Sequence, residues 1–431
     1  MRWTKIRTDL LLAASSEVLQ KLSGYAVLMI LARHLEKPVM GTLFFAATLA
    51  ALAAATTELG TSRFLVRAIA ENPDEALRRL GEVVALRLPL ALGVLLLLGA
   101  AVLAVRPDLA VVVVLMSAAV MLTDLYYSFG AFFLGLRKVG LRIATGLCGP
   151  LLTIPLVAVA VALRASLPAV LACFVAASGS GLALTVWVVR RRYGPIPIVW
   201  DAGAARRVAR ASLPFFALAT LGLAHFKVDT LLLFTLASPA AVATYEAGYK
   251  LLEASRAAVR PAMMVFFPVS TAFVARRDWS GFATVLRKLR IAVAALGVMV
   301  CVGMFATAGF LVPLFWGHRY GDTIGVLRVL ALAVTPMYLG LVATFLAGSL
   351  RLETAAARVL AVSLVANVAL NLLAIPRLGA LGAAWCTVAT ETGTALWLLL
   401  LIARTLRAEA AATSRIDPGA PPEATELITT V

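Results

Sequence analysis

Long runs of apolar residues, separated by short polar segments, alternate along the whole chain. A helix needs about 20 mainly apolar residues to cross the ~30 Å hydrocarbon core of a bilayer, and twelve runs reach that length. They predict twelve transmembrane helices with short connections and no large domain between them. The predicted spans are residues 9–32, 40–61, 82–105, 109–135, 141–163, 167–189, 209–235, 241–272, 290–315, 325–349, 355–375 and 379–403.

The composition agrees with this pattern. Only 14% of the residues are charged, whereas a soluble domain carries about 25%, and the mean hydropathy is +0.95. The first apolar run contains Glu17, Gln20 and Lys21, and no small-residue cleavage site follows it. That run is therefore predicted to be a retained helix and not a cleavable signal peptide. The sequence predicts an all-α polytopic membrane protein.

The net charge of +17 indicates membrane topology and argues against nucleic-acid binding. With the N-terminus in the cytoplasm, 26 of the 39 Lys and Arg residues fall on the cytoplasmic side, 7 on the opposite side and 6 within spans. This bias follows the positive-inside rule and predicts that both termini are cytoplasmic. Basic clusters such as "RRRYG" at 190–194 are interpreted as anchors to an anionic leaflet.

A basic, proline-containing stretch at 190–212 divides the twelve spans into six and six. Such a division is common where two lobes rock against each other around a central site. We predict two six-helix lobes around a central cavity, with a polar, proline-rich and disordered C-terminal tail. The predicted limits are residues 1–192 for the first lobe, 193–208 for a cytoplasmic linker, 209–407 for the second lobe and 408–431 for the tail.

Ionisable residues form a stripe in the eighth predicted span. At 100° per residue, six side chains fall within about 120° of one helix face. A charged side chain at the bilayer centre costs at least about 2.5–3.5 kcal/mol, so it faces protein or water. The stripe indicates either a hydrated cavity or an i,i+4 pair that joins helices while the arginines reach the cytoplasmic edge. Its members are Glu246, Tyr249, Lys250, Glu253, Arg256 and Arg260.

Cations and polar groups in other spans extend the candidate substrate site. Because Lys and Arg pair well with phosphate oxygens, the intramembrane cations suit an anionic head group. Arg87 lies near the cytoplasmic end of the third span, and Asn367 and Asn371 are predicted to bond neighbouring helices. The substrate-binding candidates are Gln20, Lys21, Lys227, Tyr249, Lys250, Arg256 and Arg260.

Acidic residues within the spans are candidates for coupling transport to a proton or sodium ion. Intramembrane carboxylates often mark such pathways. The candidates are Glu17, Asp124, Asp229, Glu246, Glu253 and Glu391, and His225 shares a helix face with Asp229.

No catalytic constellation is present in the sequence. There is no phosphate-binding glycine-rich loop, only three histidines occur, and the four cysteines lie far apart in apolar segments. We therefore predict no enzyme activity, no metal and no cofactor.

Several stretches, in order along the chain, resemble one family. They include "KLSGYAVLMILARHLEKPVMGTLFF", "LAHFKVDTLLLFTLASPAAVATYEAGYKLLE", "PLFWGHRYGDTIGVLRVLALA" and "NVALNLLAIPRLGALGAAWCTVATE". These resemble the polysaccharide flippases of the multidrug/oligosaccharidyl-lipid/polysaccharide exporter (MOP) superfamily. The resemblance implies two lobes around a V-shaped cavity that opens alternately to either side. It also implies a cargo of undecaprenyl-pyrophosphate-linked oligosaccharide, carried from the cytoplasmic to the periplasmic leaflet of a bacterial inner membrane.

Expected partners are the lipid-linked oligosaccharide, membrane lipid, and the polymerase and glycosyltransferases of the same glycan; the protein is expected to be a monomer.

Two other functions stay open from the sequence. One is a cation-coupled exporter of small molecules in the same superfamily, whose drug-transporting branch favours acidic and aromatic cavities. The other is a polytopic glycan polymerase or glycosyltransferase, which would need a larger external loop than this chain has.

Overall fold

A computed structural model describes residues 3–416, with the side chains of residues 3–15, 17, 214–215, 217–219, 260–265, 267–268 and 410–416 outside the description. This described range consists of α-helices and three short 3-10 helices and contains no strand. The α-helices are α1 (Trp3–His34), α2 (Lys37–Glu58), α3 (Thr61–Glu71), α4 (Ala76–Val105), α5 (Pro107–Gly135), α6 (Val139–Gly146), α7 (Cys148–Ala162), α8 (Leu167–Tyr193), α9 (Ala202–Leu236), α10 (Pro239–Ser255), α11 (Arg260–Ala275), α12 (Trp279–Trp316), α13 (Thr323–Leu332), α14 (Val334–Ser349) and α15 (Glu353–Ile416).

Each predicted span coincides with a helix, part of a helix or a broken pair of helices. Seven of the described helices are long and apolar enough to cross a membrane, or eight if the bent pair α13 and α14 counts as one span. The α6–α7 pair counts as one of the seven, whereas α10 and α11 are short, with 17 and 16 residues. The prediction of an all-α polytopic membrane protein with about twelve spans is confirmed.

Breaks within spans are the main departure from the sequence prediction. The α6–α7 pair breaks at Leu147, the α10–α11 pair at a 3-10 turn of Arg256–Ala258, and the α13–α14 pair at Ala333 with a bend of 45°. The last two predicted spans are both within α15, which kinks at Gly379. The φ of 55° at Gly379 lies in the left-handed region that glycine adopts at little cost.

The internal contacts divide the chain into two compact units, residues 1–224 (unit 1) and 225–431 (unit 2). The division falls within α9. The lobe, linker and tail limits predicted from the sequence stay predictions; in the structure the non-helical connection between α8 and α9 is residues 194–201, and α15 continues to Ile416.

In unit 1, α5 is the central helix and packs against α2, α3, α4 and α8. Its buried aromatic residues Phe129, Phe132 and Phe133 form one cluster with Leu80 and Val189. In unit 2, α14 packs against α12 and α15, and α10 packs against α13 and α15. These central helices position the polar side chains described next.

Candidate functional site

Asp229 is the centre of a buried hydrogen-bond network in unit 2. Its Oδ2 accepts from the Tyr245 hydroxyl at 2.7 Å and from the Thr387 hydroxyl at 3.2 Å. Its Oδ1 accepts from Asn371 Nδ2 at 2.8 Å. A buried carboxylate is costly unless hydrogen bonds satisfy it, and here neutral donors from α10 and α15 do so. The network joins α9, α10 and α15.

The prediction that Asn367 and Asn371 bond neighbouring helices is confirmed for Asn371, which reaches Asp229 on α9. Asn367 Nδ2 lies 3.4 Å from the Thr390 hydroxyl in the second half of α15, and the two asparagines also bond each other at 3.0 Å.

Glu246 and Tyr249, two members of the predicted stripe, are buried in unit 2. Glu246 is 1% exposed and accepts from the Thr230 hydroxyl at 2.5 Å, with Lys227 Nζ at 3.5 Å. Its other carboxylate oxygen has no hydrogen-bond partner among the described residues. Tyr249 stacks on Tyr245, with ring centroids 5.6 Å apart. These two side chains lie inside the packed unit and do not line a hydrated surface.

The stripe does not continue along one helix. α10 ends at Ser255, a 3-10 turn follows, and α11 begins at Arg260 with Pro261 in its first turn. Proline has no N–H and clashes with the carbonyl four residues earlier, which favours a break in the helix at this point. The Tyr338 hydroxyl donates to the Ser255 carbonyl at 2.5 Å. The prediction of one continuous helix face from 246 to 260 is therefore wrong.

The remaining described cations of the stripe have partners within unit 2. Lys250 Nζ lies 2.8 Å from Glu253 Oε2, and this carboxylate side chain is 48% exposed. The Arg256 guanidinium lies over the Phe226 ring, 4.4 Å from its centroid, which is a cation–π geometry. The side chains of Arg260 and of Glu17 lie outside the described residues.

His225 and Glu391 form a further contact between α9 and α15. Their nearest atoms, Nε2 and Oε1, are 3.8 Å apart, and both side chains are almost fully buried. Together with the Lys227 and Asp229 contacts, this gives each of the three ionisable groups in the unit 2 part of α9 a different partner.

Unit 1 contains a buried ion pair between α4 and α5. Arg87, 2% exposed, pairs with the Asp124 carboxylate and also bonds the Ser128 hydroxyl. The sequence analysis identified Asp124 as an ion-coupling candidate without its partner. Because Arg87 neutralises it, Asp124 takes part in a structural contact between two helices.

Asp124 also lines a cavity of about 330 Å³ together with Glu58 at the end of α2. The Glu58 carboxylate caps α3, since it accepts from the backbone N–H groups of Gly60 at 2.6 Å and Ser62 at 2.8 Å. Glu58 was not among the sequence candidates, although it lies in the last turn of the predicted span 40–61.

A second cavity in unit 1, of about 330 Å³, is rich in hydroxyl groups; we call it the hydroxyl cavity. It lies among α1, α5, α6, α7 and α8 and includes Gln20, a predicted substrate contact, whereas the neighbouring Lys21 is exposed and is not among its lining residues. Single Ser and Thr residues in apolar helices gave no distinctive signal in the sequence. Its polar side chains are Gln20, Ser23, Thr123, Tyr126, Tyr127, Thr145, Thr153 and Ser178.

Two arginines line a third cavity of unit 1, of about 420 Å³, which we call the arginine cleft. Arg63 of α3 and Arg142 of α6 face it together with Ser62 and Tyr127. Tyr127 lines both the arginine cleft and the hydroxyl cavity, so the two adjoin. In the sequence both arginines are recognisable only as cytoplasmic charges, so this site was not predicted.

Solved structures with the same fold are membrane transporters. An inward-facing MATE multidrug resistance transporter of the MOP superfamily is similar with a TM-score of 0.73 at 15% identity, over 91% of this chain and 96% of that one. An outward-facing MATE transporter of the same superfamily is similar with a TM-score of 0.63 at 13% identity, over 94% of this chain and 96% of that one. A MOP transporter from Pyrococcus furiosus, described by the reversed polarity of its binding pocket, gives the same values. At these identities the likeness shows the fold.

The sequence itself matches the family described as polysaccharide biosynthesis protein over residues 6–274, which is more than half of the chain. The chain belongs to that family and has the fold of MOP-superfamily transporters, which agrees with the resemblance found in the sequence. No curated protein is significantly similar to it in sequence.

Proposed function

We propose that this transporter is a flippase for an undecaprenyl-pyrophosphate-linked oligosaccharide, which it moves from the cytoplasmic to the periplasmic leaflet by alternating access of its two lobes. The observation that carries the proposal is the arginine cleft beside the hydroxyl cavity in unit 1. Membership of the polysaccharide biosynthesis family supports the choice of a glycan cargo.

The chemistry of the two cavities suits the two polar parts of such a cargo. A diphosphate carries about two negative charges, and it leaves water only if fixed cations and donors replace its hydration. The guanidinium groups of Arg63 and Arg142 offer paired N–H donors that match phosphate oxygens. The Gln20 amide of the adjoining cavity can donate to and accept from sugar hydroxyls. The hydroxyl oxygens of Ser23, Thr123 and Thr145, whose protons bond backbone carbonyls, can accept.

We keep a role in the passage of the head group for the cations predicted from the sequence. Their exposure and their partners in the structure decide which of them can contact the cargo. Lys21 is exposed, and Lys250 is partly exposed. Lys227 is held by Glu246 and Arg256 by Phe226. Lys21 and Lys250 are therefore the stronger candidates among them for contact with the cargo.

For ion coupling we propose unit 2 as the site, with Glu246 as its first candidate. One oxygen of this buried carboxylate has no hydrogen-bond partner among the described residues, while the other accepts from Thr230. The other acidic candidates have partners: Asp229 accepts from Tyr245, Glu253 pairs with Lys250, and Glu391 lies beside His225. Asp124 pairs with Arg87.

A second candidate function is cation-coupled export of small molecules. The likeness to MATE multidrug resistance transporters favours it. Two arginines on one cleft argue against it for cationic drugs, because like charges repel.

Complementation tests the proposal. Bacteria that lack the flippases for defined surface glycans receive the wild type, the Arg63→Ala, Arg142→Ala variant, or the control Arg67→Ala, Arg78→Ala. The control removes the same charge from exposed residues that pair with Glu71 and Glu75. Loss of two phosphate contacts is expected to lower glycan display about ten- to hundredfold at matched membrane levels, with the control near wild type.

Full display by the cleft variant would contradict the proposed head-group contact. Failure of the wild type to restore any glycan, together with drug efflux, would favour the exporter.

A further inference from the structure

The outer surface of unit 1 has a groove between α5 and α8 with a volume of about 890 Å³. One end is lined by Leu122 and Gly179, near the middle of each helix, and the other end by Arg190 and Arg191 in the last turn of α8. The wall between them is formed by apolar side chains of α8, namely Leu182, Ala183, Val186 and Trp187. The groove is thus apolar along its length and cationic at one end.

The length of the groove matches one leaflet of a bilayer. From Gly179 to Arg191 is twelve residues, about 18 Å at 1.5 Å per helical residue. Half of the ~30 Å hydrocarbon core is about 15 Å. A groove that begins near the middle of the membrane and ends in arginines therefore has room for an acyl chain, with its head group at the arginines.

The cationic end has the features of a membrane interface. Trp187, 60% exposed, lies one helical turn before Arg190, and Trp200 in the following connection is 61% exposed. Exposed tryptophans are typical of the head-group level. Within the described part of the chain, neither Arg190 nor Arg191 forms an ion pair or hydrogen bond with a side chain. Their charge is available to a ligand outside the protein.

We propose that this groove is a binding site for an anionic phospholipid of the leaflet that contains the C-terminal end of α8, which is the cytoplasmic leaflet in the predicted topology. The phosphodiester contacts Arg190 and Arg191, and an acyl chain lies along α8 beside Ala183 and Val186. Charge complementarity selects the anionic head group, and the apolar groove distinguishes this site from attraction to a basic surface alone. The site is separate from the arginine cleft, with which it shares no lining residue.

Native mass spectrometry of the full-length, delipidated protein tests this site, with phosphatidylglycerol and phosphatidylcholine of identical acyl chains as probes. The wild type is expected to bind phosphatidylglycerol at least about tenfold more tightly than phosphatidylcholine. Each arginine near the surface is expected to strengthen binding of the anionic lipid about five- to tenfold. In R190Q/R191Q the preference is expected to disappear. The control R287Q/K288Q removes the same charge from an exposed pair on α12 and is expected to keep it.

A groove-filling variant separates the site from simple charge attraction. Ala183 is exposed, so the Ala183→Phe side chain extends into the groove without displacing core residues. This variant keeps all arginines and is expected to weaken the binding of both phosphatidylglycerol and phosphatidylcholine. Unchanged phosphatidylglycerol binding in Ala183→Phe would overturn the proposal. An equal loss of the phosphatidylglycerol preference in R190Q/R191Q and in the control R287Q/K288Q would also overturn it. Displacement of phosphatidylglycerol by equimolar undecaprenyl phosphate would also overturn it, because the groove would then belong to the transported lipid.

Discussion

The same six-residue pattern, S-R-x-x-V-R, occurs in each unit and adopts two structures. In unit 1 it is residues 62–67 and lies wholly within α3; in unit 2 it is residues 255–260 and runs from the end of α10 through a 3-10 turn to the start of α11. The next residue is Ala68 in the first copy and Pro261 in the second. Proline disfavours a continuous α-helix at that position, because it removes one hydrogen bond and clashes with the preceding turn, whereas alanine favours one.

This difference gives equivalent arginines different surroundings. Arg63 in unit 1 faces a cleft with Arg142, whereas Arg256 in unit 2 is held over the Phe226 ring. Lys227 and Lys250 in unit 2 likewise have carboxylate partners of their own. Unit 1 therefore has two arginines on one cavity, whereas Lys227, Lys250 and Arg256 of unit 2 each contact another side chain of that unit. Four substitutions test how far this contrast extends.

The largest effect is expected at Arg87, which is the buried cation of an ion pair among the described residues of unit 1. Arg87→Ala leaves the Asp124 carboxylate without its counter-charge, and breaking a buried pair costs about 3–5 kcal/mol. Thermal unfolding in detergent should show a large loss of stability. Arg106→Ala is the control, since its pair with Asp108 is about half exposed on both sides and contributes about 1 kcal/mol or less. Equal melting temperatures for the two variants would show that the Arg87 pair contributes nothing.

A smaller loss is expected when Lys227 is removed from unit 2. Lys227→Ala leaves the buried Glu246 with Thr230 as its one hydrogen-bond donor among the described residues, a cost of about 2 kcal/mol. Adding Glu246→Gln should recover part of the stability, because the uncompensated charge is then absent. A double variant less stable than Lys227→Ala alone would mean that Glu246 is not stabilised through Lys227.

The sequence predicted the helices well because the bilayer imposes a length of about 20 apolar residues, which is visible locally. The breaks at Leu147 and Ala333 lie three residues before Pro150 and Pro336, and Pro261 follows the break before α11, so a proline accompanies each of the three breaks. The 100° rule was applied across the break before α11, and this produced the false stripe.

The candidate site was harder to predict than the fold. Arg63 and Arg142 line one cavity only because α3 and α6 both begin there, and a count of basic residues on one side of the membrane cannot distinguish them from surface charges. The burial of Glu246 and Tyr249 could not be predicted either, because their periodic spacing suits a cavity wall and a packed helix equally well. Tertiary packing decides between the two.

Tyr245→Phe removes one of the neutral donors to Asp229 and is expected to cost about 1–2 kcal/mol. The loss is limited because Asn371 and Thr387 still donate to the carboxylate. Tyr249→Phe is a close control, since its ring stacks on Tyr245 and its hydroxyl forms no hydrogen bond among the described residues. If both variants unfold at the same temperature, the Tyr245 hydroxyl is not needed to satisfy Asp229.

The smallest effect on stability is expected at Lys250, where function and packing separate. Its partner Glu253 is half exposed and one turn away, so Lys250→Ala should cost about 1 kcal/mol or less, well below Lys227→Ala. Transport should respond more strongly: we predict that Lys21→Ala, Lys250→Ala lowers glycan display at matched membrane levels, and that Arg at both positions restores more than Gln because it keeps the charge. Full display by the double alanine variant, with stability unchanged, would leave the arginines of unit 1 as the contacts for the head group. Lost display that Gln restores as well as Arg would show that charge is not what these positions supply.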